Sequence, residues 1–182
     1  MTLIGRDSKR EIEPGTEHWD GTQALDYTFD DGGRAAAGYR GSAGDCVTRS
    51  IAIAAGKPYQ EVYDVLAAGM GSQRKTKRTK KTGASARNGV YTRRKWFKDY
   101  MHGLGFTWTP TMLIGSGCKV HLLKGELPPG RLVVAVSKHY TAVIDGVIHD
   151  TFNPTWATIH HNEGKTTMSH RCVYGYWTNG NG

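Results

Sequence analysis

The sequence predicts an α+β fold, on three observations. Residues 46–103 carry helix signals: caps, stops and apolar positions at helical spacing. Residues 106–177 carry strand and hairpin signals instead. The two kinds of element are segregated along the chain, which favours helices packed on an antiparallel sheet over alternating βαβ units. At 182 residues without an internal repeat, the chain suits one domain around one core.

The elements follow in order. Residues 1–24 are polar with few apolar anchors and predict a loosely held arm, leaving 25–182 as the domain. Tyr27-Thr28-Phe29 reads as a short strand and Asp31-Gly32-Gly33 as a turn. Gly41 to Gly56 reads as a glycine-loosened loop and then a helix starting at or next to Cys46, with Asp45 as N-cap and Gly56 as the stop. Its residues are small or apolar on most sides, which predicts burial. Pro58 suits the first turn of a second helix, and Tyr59, Val62, Tyr63, Val65 and Leu66 keep helical spacing through Met70. A third helix is predicted over Thr92 to Gly103, with Trp96, Phe97, Tyr100 and Met101 facing inward. Strands are predicted at Phe106–Thr109, Lys119–Leu123, Arg131–Ser137 and Arg171–Trp177, with a hairpin turning at Asp145-Gly146.

Hydrophobic content is only 38%, but nine Tyr, five Trp and four Phe supply bulky core material. No apolar run reaches the length of a membrane-spanning helix, so no membrane association is expected. The N-terminus lacks the apolar stretch of a secretory signal. The three cysteines, Cys46, Cys118 and Cys172, are therefore expected as reduced thiols in a cytoplasmic protein, with Cys118 structural and Cys172 in a core strand.

The net charge of +8 is local. Arg74 to Lys95 holds Arg74, Lys75, Lys77, Arg78, Lys80, Lys81, Arg87, Arg93, Arg94 and Lys95, with no acidic residue. Residues 71–95 thus read as a basic loop insertion with no core face over most of its length. A solvated loop is one reading. Non-specific binding of nucleic acid through residues 74–95 is another, with Arg74, Lys75, Lys77, Arg78, Lys80, Lys81, Arg93 and Arg94 as the polyanion-binding candidates. Steering of an acidic protein is a third.

Candidate chemistry centres on Cys46. A helix N-terminus carries about half a positive charge, which favours thiolate over thiol. In the hairpin, a two-residue loop pairs Ile144 with Val147, Thr141 with Asp150 and His139 with Phe152. His139 and Asp150 then share a face as diagonal neighbours, within reach of an imidazole–carboxylate hydrogen bond. His149 faces the other way, and Asn153 has the opposite parity to Phe152. His160, His161, His170 and Cys172 lie close in sequence but match no common zinc spacing, so no metal is expected. No nucleotide or flavin motif is present, and no cofactor is expected.

A cysteine at a helix start, followed by a histidine and a carboxylate on a later sheet, resembles the papain-like cysteine peptidase superfamily. Gly44-Asp45-Cys46 looks like the cysteine loop of ovarian-tumour-type deubiquitinases, and His139-Tyr140 with its hairpin to Asp150 looks like bacteriocin-processing peptidases. Over most of residues 28–177 the chain resembles small phage and bacterial proteins with the same Asp-Cys-Val and His…Asp-Gly-Val-Ile-His-Asp motifs, a likeness that brings no activity with it. The resemblance implies a papain-like domain whose N-terminal cysteine helix packs on an antiparallel sheet. It implies Cys46 as nucleophile, His139 as general base and later acid, and Asp150 as the group that fixes the imidazole tautomer. It also implies a protein or peptide substrate, and the host cytoplasm for a phage protein.

The family usually takes a side-chain oxyanion donor from a glutamine shortly before the cysteine. Here Arg40 stands six residues before Cys46 and the nearest upstream glutamine is Gln23, so Tyr39, Arg40, Ser42 and Gln23 remain open for that role. A different class of function fits the same fold: a noncatalytic, phage-type binding protein that engages nucleic acid or an acidic host protein through the basic loop.

Overall fold

The computed structural model of the protein describes residues 8–12, 22–73, 83–162 and 165–180. Among these, three helices stand against a six-stranded mixed sheet, an α+β arrangement. The helices are α1 (Cys46–Ala55), α2 (Tyr59–Gly71) and α3 (Lys95–Gly103). The main sheet has the order β2 (Asp26–Phe29), β6 (Val147–Asp150), β5 (His139–Ile144), β4 (Arg131–Val136), β9 (Val173–Asn179) and β3 (Phe106–Pro110). A second, three-stranded sheet joins β1 (Ser8–Ile12), β7 (Ala157–Asn162) and β8 (Lys165–Ser169).

Helix α1 forms because its residues are small or apolar and its stop is strong. Gly56 adopts the left-handed conformation at φ 62° and returns its N–H to Ile53 O. Arg131, on β4, donates to the terminal carbonyls Ala54 O (2.7 Å) and Ile53 O (2.5 Å). A guanidinium at a helix C-terminus satisfies orphan carbonyls and opposes the negative end of the dipole, so this contact fixes α1 on the sheet.

The sheet is buried on both faces. Under the helices, Val47, Ile51, Val62, Leu66, Phe97 and Met101 pack on Phe106, Val133, Ala142 and Trp177. On the opposite face, Leu132, Val134, Val136, Val143, Ile148 and Val173 pack with Leu25 and Leu122. Central strand β4 feeds both clusters, which accounts for its unbroken apolar run.

The β5–β6 hairpin turns at Asp145 and Gly146, both at positive φ (48° and 80°), with Ile144 opposite Val147. That is the register the alternation predicts.

Several expectations are corrected. The main sheet is mixed, not antiparallel, because β2 pairs parallel with β6 and places Phe29 opposite Asp150. Lys119–Leu123 forms no strand: it meets its neighbours only at the isolated bridges His121↔Cys172 and Ala24↔Leu123, between Gly117 and Gly125 at positive φ. Helix α3 begins at Lys95 and not Thr92, after a turn in which Arg94 N–H meets Tyr91 O. Ser8–Ile12, inside the segment expected as a loose arm, pairs antiparallel with β7. Cys118 and Cys172 are joined in a disulfide, so two of the three expected thiols are not free; Cys46 is the free cysteine. No described helix is long and apolar enough to cross a membrane.

Candidate active site

Three chain segments meet where α1 starts at the rim of the sheet. Cys46 is the first residue of α1, His139 the first of β5 and Asp150 the last of β6. Alternation assigns His139 to the face of Val143, away from the helices, yet it reaches Cys46 because both stand at element ends. A two-residue turn with Lys138 at φ 56° delivers His139 to that position.

His139 Nε2 lies 2.6 Å from Asp150 Oδ2, and the Cys46 thiol stands close enough for the two groups to shift each other's pKa. Phe152 packs on the imidazole with ring centroids 4.8 Å apart. The other Asp150 oxygen accepts Thr151 N–H at 2.7 Å and faces the Arg49 guanidinium at 3.7 Å.

The electrostatics oppose burial. Desolvation by itself raises the Cys46 pKa, but hydrogen bonding and charge from His139, the Tyr140 backbone N–H and the Arg49 charge outweigh it, and the thiol sits below its ordinary value. Desolvation lowers the His139 pKa, but hydrogen bonds to Asp150 and Cys46, with their charges, push it up to about 9. Both directions favour a thiolate–imidazolium pair near neutrality.

Behind the cysteine lies a buried ionic cluster. The Asp45 carboxylate accepts hydrogen bonds from Arg49, from Arg34 Nε (2.7 Å) and from the Tyr59 hydroxyl (2.6 Å). Asp45 precedes α1 as expected, but its side chain makes no capping bond because these three donors hold it. Arg49 therefore spans two buried carboxylates, Asp45 and Asp150. Sequence reasoning missed this cluster. Its signal was the lone charge in the helix Cys46–Ala55, since a cation on a buried helix needs an acid nearby.

An open cleft of about 1160 Å³ lies over the cysteine. Cys46, Val47 and His139 reach it, and Asn88, Val90, Thr92 and Arg93 form one wall. Asn88 bridges to Gly44, two residues before Cys46. The Tyr140 hydroxyl donates to Thr92 Oγ1 at 3.0 Å and ties that wall to β5. Trp108, Pro110 and Met112 to Ile114 also line the cleft.

None of the four sequence candidates for an oxyanion donor lines this cleft. Tyr39 packs on Tyr59 and Tyr63 at 5.1 and 5.0 Å. Ser42 is exposed, with its carbonyl accepting from Arg87, and the exposed Arg40 gives its carbonyl to Arg34. Gln23 lies beyond the start of β2, whereas Asp150 meets its end. Asn88, distant in sequence, occupies the wall instead.

Of the polyanion-binding candidates, Arg74, Lys75, Lys77, Arg78, Lys80 and Lys81 lie outside the described residues. Arg93 lines the cleft, and the Arg94 guanidinium stands 6.0 Å from the Tyr91 ring. His149 faces away from His139 and meets Asp30 at 3.3 Å. Among the described residues, no group of three His, Cys, Asp or Glu side chains is placed to hold a metal ion. No protein-family model, curated protein or solved structure matches the chain.

Proposed function

We propose that the protein is a papain-like thiol hydrolase or acyl transferase acting on an amide, isopeptide or thioester carbonyl through Cys46, His139 and Asp150. The observation that carries this reading is an imidazole held by a buried carboxylate at 2.6 Å, with the cysteine thiol beside it in the same cleft. An early cysteine helix lying on a sheet that supplies the histidine and the acid supports the papain-like assignment.

The Cys46 thiolate attacks the carbonyl carbon and forms a C–S bond as the carbonyl electrons move to oxygen. The intermediate collapses, the bond to the leaving group breaks, and the His139 imidazolium gives its proton to that group. The product is a Cys46 thioester. Neutral His139 then takes a proton from water or an amine as it attacks; the C–S bond breaks, and acid or transferred acyl product leaves with the thiolate–imidazolium pair restored. Asp150 keeps the ring oriented and offsets its charge throughout.

The developing oxyanion meets N–H groups of the first turn of α1, whose intrahelical bonding starts only with Arg49 N–H to Asp45 O. The Asn88 side-chain amide is the second donor, in place of a glutamine before the cysteine.

Alkylation tests the reading. Iodoacetamide should label Cys46 well below pH 8.5, the ordinary cysteine pKa being about 8.5, with labelling lost in Cys46→Ala. Labelling that rises only near that ordinary value would remove the activated nucleophile and the proposal with it.

A further inference from the structure

Building on the thiol reading above, we infer that the cleft takes a polypeptide segment combining acidic with large apolar residues. The acids meet Arg93, Lys98 and Lys138, and the apolar residues meet the loop between β3 and β4. Three observations carry this inference.

The first is charge. Arg93, Lys98 and Lys138 are exposed and line the cleft, and no Asp or Glu stands among the described lining residues. No ion pair to these three is present among the described residues. The carboxylates next to the cysteine and the histidine, Asp45 and Asp150, are buried and held by Arg34, Arg49, Tyr59 and His139. Unneutralised cations beside low-dielectric walls focus a field that draws anionic ligands.

The second is apolar exposure. Eight large apolar or aromatic side chains are exposed among the described residues, and five of them, Met112, Leu113, Ile114, Phe152 and Tyr174, line this cleft. Leu113 is 66% exposed at the tip of the β3–β4 loop. The apolar stretch of the loop is anchored on either side: Thr111 Oγ1 donates to Val173 O at 2.6 Å, and Cys118 is bonded to Cys172. The Ser116 hydroxyl accepts Leu113 N–H at 2.9 Å and shapes the tip. Apolar side chains concentrated on a held loop, rimmed by charge, mark a surface that another chain covers.

The third is size. A cleft of about 1160 Å³ exceeds the roughly 300–1,000 Å³ of small-molecule pockets and suits an extended segment of several residues.

The test is binding to the full-length Cys46→Ala protein, followed by fluorescence anisotropy. The probes are labelled peptides alternating leucine with glutamate, leucine with lysine, and serine with glutamate, plus a single-stranded oligonucleotide. The leucine–glutamate peptide should bind tightest, and its affinity should fall with added salt. Lys98→Glu with Lys138→Glu should weaken it by about tenfold or more, as attraction turns to repulsion at two exposed sites. Leu113→Ser with Ile114→Ser should cost about tenfold as well. All four substituted residues are exposed, so the variants keep the fold.

Equal affinity for the leucine–lysine peptide, or tighter binding of the oligonucleotide, would overturn the inference. Alkylation of Cys46 in the unaltered protein is read in parallel. Ordinary thiol reactivity with peptide discrimination intact sinks the hydrolase reading alone. An activated Cys46 without discrimination sinks the substrate assignment alone.

Discussion

His139 has to serve two partners, and its protonation sets the working range of the site. Its pKa is pushed up to about 9, while that of Cys46 lies below its ordinary value. Below the lowered Cys46 pKa the sulfur holds a proton and cannot attack. Above about 9 the imidazolium is lost, and with it the acid that protonates the leaving group. Turnover should therefore trace a bell whose alkaline limb falls near pH 9, and Cys46 alkylation should follow the acid limb alone. Asn88 carries the second residue-scale prediction. Asn88→Ala should lower kcat by about 10²–10³-fold with KM little changed, as for the loss of one oxyanion donor. A loss below about threefold in steady-state kinetics would take Asn88 out of that role.

At the scale of the element, α1 is held from both ends. Arg131 grips its last carbonyls, and the Asp45 cluster holds its start. Breaking a buried ion pair from one side leaves an uncompensated charge, so Asp45→Asn should cost about 3–5 kcal/mol in urea unfolding. The exposed pair between Lys57, just before α2, and Glu61 in its first turn serves as the control, and Glu61→Gln should change stability by under about 0.5 kcal/mol. Equal effects of the two substitutions would mean that the Asp45 cluster does not anchor the helix. Strands β1, β7 and β8 escaped sequence reading because SKREI, ATIHHN and KTTMS each hold only one or two apolar residues and show no sustained alternation. Lys119–Leu123 misled in the opposite sense: Leu122 and Leu123 are buried, but by packing rather than by strand pairing.

For the whole molecule, two apolar clusters clamp the sheet, and the Cys118–Cys172 disulfide ties the loop after β3 to the start of β9. That bond spans a sequence separation of 54. Chain entropy for such a loop predicts a loss of about 4 kcal/mol in the Cys118→Ser/Cys172→Ser variant, read as a lowered Tm. Cys46 sits on α1, outside this tie, so its alkylation profile should not change. An unchanged Tm would mean the disulfide does not constrain the unfolded chain.

The sequence by itself determined what depends on neighbours along the chain. The span and stop of α1, the hairpin turn at Asp145-Gly146 and the shared face of His139 and Asp150 all follow from caps, turn conformation and period-two alternation. Only the tertiary structure decided which distant groups met: β2 parallel to β6, Arg34, Arg49 and Tyr59 closing on Asp45, Cys118 reaching Cys172, and Asn88 beside Gly44. The physical reason is that local signals fix the conformation of a few consecutive residues. Long-range partners are selected by the burial of one common core, which is a property of the whole chain.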